Sequence, residues 1–139
     1  MRPFHLAFPV ADLDQARQFY GEVLGCALGR ESPGHWIDFD LFGHQLTAHF
    51  VPGHAGSSGG GQVDNDIVPI PHFGVILEMA DWQTLATRLE ADPGVRWGLR
   101  PKIRFAGQPG EQATLFVFDP SGNGLEFKGL SRDDGLFSR

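Results

Sequence analysis

The sequence predicts an α+β fold: two βαβββ units whose sheets form a curved mixed cup, with the helices on the outside. Three observations carry this. Each half of the chain reads as strand, helix, then three strands. The halves repeat in order: Phe4-His5 answers Pro71-His72, Ala11-Asp12-Leu13 answers Ala80-Asp81-Trp82, and Gly43-His44-Gln45-Leu46-Thr47 answers Gly122-Asn123-Gly124-Leu125-Glu126. The strands alternate apolar with polar residues, so each sheet has one face for a helix to cover and one polar face. The expected organisation is a single domain over 1–139, with a first unit at 4–51, a flexible connection at 52–70, a second unit at 71–128 and a tail at 129–139.

Phe4 to Val10 reads as the first strand, with Phe4, Leu6, Phe8 and Val10 on one face and His5, Ala7 and Pro9 on the other. Pro9 lacks an N–H and marks an edge. A helix follows, capped by Asp12, with Leu13, Ala16, Phe19, Tyr20, Val23 and Leu24 as its apolar stripe and Gly25 as its stop. Tyr20 reads as a core residue. After a short strand around Cys26 to Arg30, Trp36 to Phe42 alternates strictly, placing Ile37, Phe39 and Leu41 against the helix and Trp36, Asp38 and Asp40 opposite. Gln45 to Val51 returns, with Thr47 and His49 on the polar face. Gly53 to Gly61 has the composition of a flexible linker, and His54 within it reads as a mobile surface residue. His72 to Met79 is the next strand. Asp81 caps the second helix, whose stripe is Trp82, Leu85, Ala86 and Leu89. Separate strands are expected at 95–99, 101–105, 112–119 and 124–128, and Ser131 to Arg139 reads as loosely held.

Composition narrows the function. With 11 basic and 17 acidic residues the formal charge is −6, and no basic cluster suits nucleic acid. No apolar run is long enough to span a membrane. The first residues are strand-like rather than a signal segment, and Cys26 is the single cysteine, so a cytoplasmic protein is expected.

Asp119-Pro120-Ser121-Gly122-Asn123-Gly124 is turn chemistry, and the strand after it buries Leu125 and Phe127, so Glu126 points to the polar face. Three residues stand out on polar faces: His5 and His72 at the first strand of each unit, and Glu126 on the last strand.

On the His5 strand, the run from Asp12 to Gly25, the His72 strand and the stretch from Asp119 through Lys128, the chain resembles the vicinal oxygen chelate superfamily. That superfamily includes glyoxalase I, fosfomycin-resistance proteins, bleomycin-resistance proteins and extradiol dioxygenases. The resemblance covers about residues 4–128 and implies the paired βαβββ fold. It also implies metal ligands at His5, His72 and Glu126. The remaining ligand position falls at Thr47, where glyoxalase I carries a carboxylate, so the chain departs from glyoxalase I there. Two histidines and one carboxylate resemble the extradiol dioxygenase branch and the facial triad of non-haem iron enzymes.

The implied cofactor is a divalent metal, with Fe(II) favoured over Mn, Zn or Ni. The implied substrate is a small catechol-like molecule that chelates through two oxygens. His49 is the candidate acid/base residue or substitute ligand, set against its plain reading as a partly exposed strand histidine. Trp36 is a candidate to stack on an aromatic substrate. Lys102 and Arg104 alternate with Ile103 and Phe105 and are candidates for binding an anionic group of the substrate. A homodimer is expected, because relatives pair their units within or between chains. Two other readings stand beside the dioxygenase: a glyoxalase-like lyase or antibiotic-modifying thiol transferase, and a metal-free binding protein of the bleomycin type.

Overall fold

The computed structural model describes residues 2–56, 59–63, 65–131 and 135–138. Expectations placed on Ser57, Ser58, on Arg132 to Asp134 in the tail, and on Arg139 lie outside the described residues. The chain divides into two compact units, Met1–Gly56 with Asp119–Asn123, and Ser57–Phe118 with Gly124–Arg139.

In the first unit, β1 (His5–Val10) leads into α1 (Leu13–Ala16), which continues as a π-helix over Arg17–Val23. Asp12 caps it by accepting from the Gln15 amide at 2.9 Å. The wide turns show in the Leu24 amide donating to the Phe19 carbonyl at 2.9 Å. Gly25, at φ 79°, takes the left-handed turn that ends it. β2 (Ala27–Ser32), β3 (Trp36–Leu41) and β4 (His44–Phe50) complete a sheet in the order β1-β4-β3-β2. β1 runs parallel to β4 and forms the edge where Pro9 sits; the other pairs are antiparallel. Ile37, Phe39, Leu41, Leu46 and Ala48 are buried with Phe19 and Tyr20, as the alternation and the helix stripe require.

The second unit repeats this topology. β7 (His72–Glu78), α2 (Met79–Glu90), β8 (Arg96–Arg104), β9 (Gln112–Phe118) and β10 (Gly124–Leu130) give the sheet order β7-β10-β9-β8, with β7 parallel to β10. Trp82, Leu85, Ala86 and Leu89 of α2 are buried, and the Trp82 indole donates to the Phe127 carbonyl at 2.8 Å. The architecture is therefore the mixed α+β, doubled βαβββ arrangement expected from the repeat.

Three local readings are corrected. Asp81 does not cap α2: the strand runs directly into the helix, Glu78 is the N-cap without a side-chain bond, and Asp81 sits in the first turn, where its charge suits the helix dipole. The two strands expected at 95–99 and 101–105 are one strand, β8. Register shifts between Trp97 and Leu99 and between Leu99 and Lys102 carry it past Pro101, which has no N–H to pair. The Gly-rich connection contains a hairpin, β5 (Gly59–Val63) with β6 (Asp66–Ile70). Composition hid it because glycine pairs through its backbone, while the strand character lies in Ile67, Val68 and Ile70 of the partner strand. Among the described residues no helix is long and apolar enough to cross a membrane.

Candidate metal and substrate site

Leu125 and Phe127 have no exposed surface, which turns Glu126 to the opposite face of β10. Gly74 lies opposite it on β7, and a Cβ there would stand 1.5 Å from the Glu126 carbonyl oxygen. The glycine thus permits the close approach of the two strands. His72, at the start of β7, brings its Nε2 to 3.2 Å from Glu126 Oε1. Thr114 on β9 donates its hydroxyl to Glu126 Oε2 at 2.6 Å. The His72 and Phe116 rings also meet in a T-shaped contact, 4.9 Å between centroids.

The orientation of His72 is set by its other nitrogen. Nδ1 lies 2.7 Å from the Pro69 carbonyl, which can only accept, so Nδ1 carries a proton. In the neutral ring Nε2 is then a bare lone pair facing a carboxylate oxygen. Two acceptors hold that distance only with a positive charge between or upon them. Without a metal the charge is a proton: the hydrogen bond to Glu126 raises the His72 pKa, against the effect of burial. Burial pushes Glu126 upward, but the bonds from His72 and Thr114 outweigh it and hold the carboxyl below its usual range. A divalent cation fits the same place. Each donor has an outer hydrogen bond fixing it, His72 to a backbone carbonyl and Glu126 to Thr114, as metal-ligating side chains do. Among the described residues of either unit, no group of three or more His, Cys, Asp or Glu side chains gathers closely enough to hold a metal by itself.

Lys102 and Arg104 share this face. Lys102 stands opposite Thr114 and Arg104 opposite Gln112. Lys102 Nζ meets Asp66 Oδ2 of the hairpin at 2.8 Å, and Arg104 Nη1 reaches the same oxygen at 3.1 Å and the Val63 carbonyl at 2.8 Å. The Lys102 hydrogen bond is the main reason the Asp66 carboxyl titrates below its usual range.

The other expected residues belong to the first unit. His5 opens β1 and is exposed. His49 is exposed on β4, opposite Trp36 of β3. A hollow of about 560 Å³ lies along this face, lined by Trp36, Asp38, His44 and Gln45 among others. Thr47 is buried and donates to Asp38 Oδ1 at 2.7 Å from the neighbouring strand. A carboxylate therefore lies beside Thr47, on the neighbouring strand β3.

A model of the Glyoxalase/Bleomycin resistance protein/Dioxygenase superfamily matches residues 2–127. The chain belongs to this superfamily. A glyoxalase/bleomycin resistance protein/dioxygenase from Alicyclobacillus acidocaldarius is 32% identical, with 97% of this chain and 96% of that one covered and a TM-score of 0.80. Lactoylglutathione lyase from Agrobacterium tumefaciens (20% identity, 92% of each chain, TM-score 0.58) shares the fold. So does the fosfomycin resistance protein FosX from Listeria monocytogenes (14% identity, 95% of each chain, TM-score 0.67). No curated protein matches the chain.

Within this superfamily fold, sequence reading missed the partners that hold the polar side chains. Thr114 and Asp66 carried no local signal. Asp38 did: strict alternation over Trp36 to Phe42 and the return strand after Gly43 put it across from Thr47. The stretch from Asp119 to Asn123 proves to be built on a buried carboxylate. Asp119 Oδ1 accepts from the Ser121 and Asn123 amides at 2.9 Å each, and Oδ2 from the Tyr20 hydroxyl at 2.8 Å and Asn123 Nδ2 at 2.9 Å. His54 is not free on the surface; its Nε2 lies 2.8 Å from Asn123 Oδ1.

Proposed function

We propose that this member of the superfamily is a divalent-metal enzyme acting on a small substrate that chelates through neighbouring oxygens, with dioxygen-dependent cleavage of a catechol-like ring as the leading reaction. The observation that carries the reading is the His72–Glu126 pair, two donors face to face with outer bonds that fix both. His5 is proposed as the third ligand on the strength of the sequence repeat. Two histidines and a carboxylate favour Fe(II), with Mn, Zn or Ni as alternatives. When bound, such a metal supplies Lewis acidity and a template for substrate and oxygen. The protein's own contribution is positional. Pro69 holds the His72 tautomer, Thr114 holds Glu126, Trp36 offers a stacking surface, and His49 is proposed to move the substrate proton.

A second reading, a glyoxalase-like lyase, gains from Asp38. Abstracting a proton beside a carbonyl needs a base, and the carboxylate absent at Thr47 is present at Asp38. Metal content and Fe(II) binding of anaerobically purified protein, with Glu126→Ala alongside, test the common core. Oxygen uptake with catechols then supports the dioxygenase. Turnover of a hemithioacetal without oxygen uptake, lost in Asp38→Asn, supports the lyase. No tight metal in either protein refutes both.

A further inference from the structure

We infer that Lys102 and Arg104 form a carboxylate subsite for the substrate, occupied in this state by the protein's own Asp66. The inference rests on the reading of the His72–Glu126 face as the reaction centre, and it names a chemical group the substrate carries. Arg104 is 1% exposed, yet only its Nη1 is bonded; its Nε and Nη2 are buried without a hydrogen-bond partner. These two N–H groups form one edge of the guanidinium fork, the edge that matches a carboxylate through two parallel bonds. Native proteins rarely leave such an edge buried and unpaired.

The internal anion is an incomplete occupant. Asp66 serves both Lys102 and Arg104 through one oxygen, Oδ2. Its hairpin buries little apolar surface and is held mainly by polar contacts: three glycines face Val68 to Ile70, and Val68 is the one buried residue among the described residues of the two strands. A substrate carboxylate taking Lys102 and the unpaired guanidinium edge uses two oxygens where Asp66 uses one, and so displaces it and loosens the hairpin at its Asp66 end, while Pro69 at the other end of the strand keeps its bond to His72. Lys102 faces Thr114, which holds Glu126, so a substrate anchored here extends along the same face toward Glu126 and His72.

Benzoate, with benzyl alcohol as the uncharged control, tests the subsite on the full chain without added metal. Benzoate is expected to bind and to speed hydrogen exchange of the hairpin amides; benzyl alcohol is not. Asp66→Asn removes the internal competitor and should tighten benzoate binding about tenfold, whereas Arg104→Lys, which keeps the charge but not the fork, should weaken it about as much. If Arg104→Lys does not fold, the comparison of wild type with Asp66→Asn still decides. Equal benzoate affinity in those two proteins, or hairpin exchange unmoved at saturation, overturns the inference. Fe(II) binding measured on the same samples separates the readings: metal bound without these benzoate effects sinks the subsite alone, and benzoate effects without metal sink the metal site alone.

Discussion

Replacing Tyr20 with Phe isolates one hydrogen bond to a buried charge. Tyr20 and Asp119 have no exposed surface, and the hydroxyl donates to Asp119 Oδ2 at 2.8 Å. The ring stays: its contacts with Phe8, Phe19 and Phe39, at 5.4, 4.9 and 5.2 Å between centroids, do not involve the oxygen. Burial, then the neighbouring Asp119 charge, raises the Tyr20 pKa well above its ordinary value, so the hydroxyl remains a donor through the neutral range. A hydrogen bond to a charged group contributes about 1.5–3 kcal/mol, and three other donors to Asp119 survive, so a loss of about 2 kcal/mol is expected. For a chain of 139 residues that lowers Tm by about 8 °C. Urea unfolding and calorimetry of wild type and Tyr20→Phe measure it, with Asp119→Ala as the larger perturbation because it orphans three further donors. A Tyr20→Phe protein within about 0.5 kcal/mol of wild type refutes the reasoning, since surface substitutions cost no more than that.

Other outcomes follow from the second unit. Gly74→Ala should destabilise by about 3 kcal/mol or more and weaken metal binding, because its Cβ would collide with the Glu126 backbone; a wild-type melting curve would show that the two strands pair less closely. Thr114→Val should leave the fold intact and weaken Fe(II) binding about tenfold to a hundredfold by freeing Glu126, as read by anaerobic titration. Asp66 has a folded pKa below its unfolded one, so its stabilisation is present above the usual carboxylate range and lost as pH falls through the depressed value. The stability gap between wild type and Asp66→Asn should therefore close on going from about pH 6 to about pH 2; a constant gap would mean that the Asp66 charge contributes nothing.

Much of the fold was legible because its signals are local and repeated. The alternation in Trp36 to Leu41, the stripe of Trp82, Leu85, Ala86 and Leu89, and the stop at Gly25 each depend on side-chain period or on glycine's φ freedom. The β5–β6 hairpin was not legible, because Gly59 to Gly61 form a strand only when Asp66 to Ile70 offers its backbone. On the candidate site, parity was enough to place Glu126, Lys102 and Arg104 on one face. It could not show that Asp66 reaches both cations.

What the sequence by itself determined is which residues face the core and which face the polar side, since a two-residue strand period and a helical stripe are properties of neighbours in the chain. Only the tertiary structure decided which charge meets which partner. Tyr20 and Asp119 are 99 residues apart, Asp66 and Lys102 are 36 apart, and Thr47 finds Asp38 across a strand pair. Each bond depends on strand register and side-chain rotamer to within a few tenths of an ångström, and no local period encodes that.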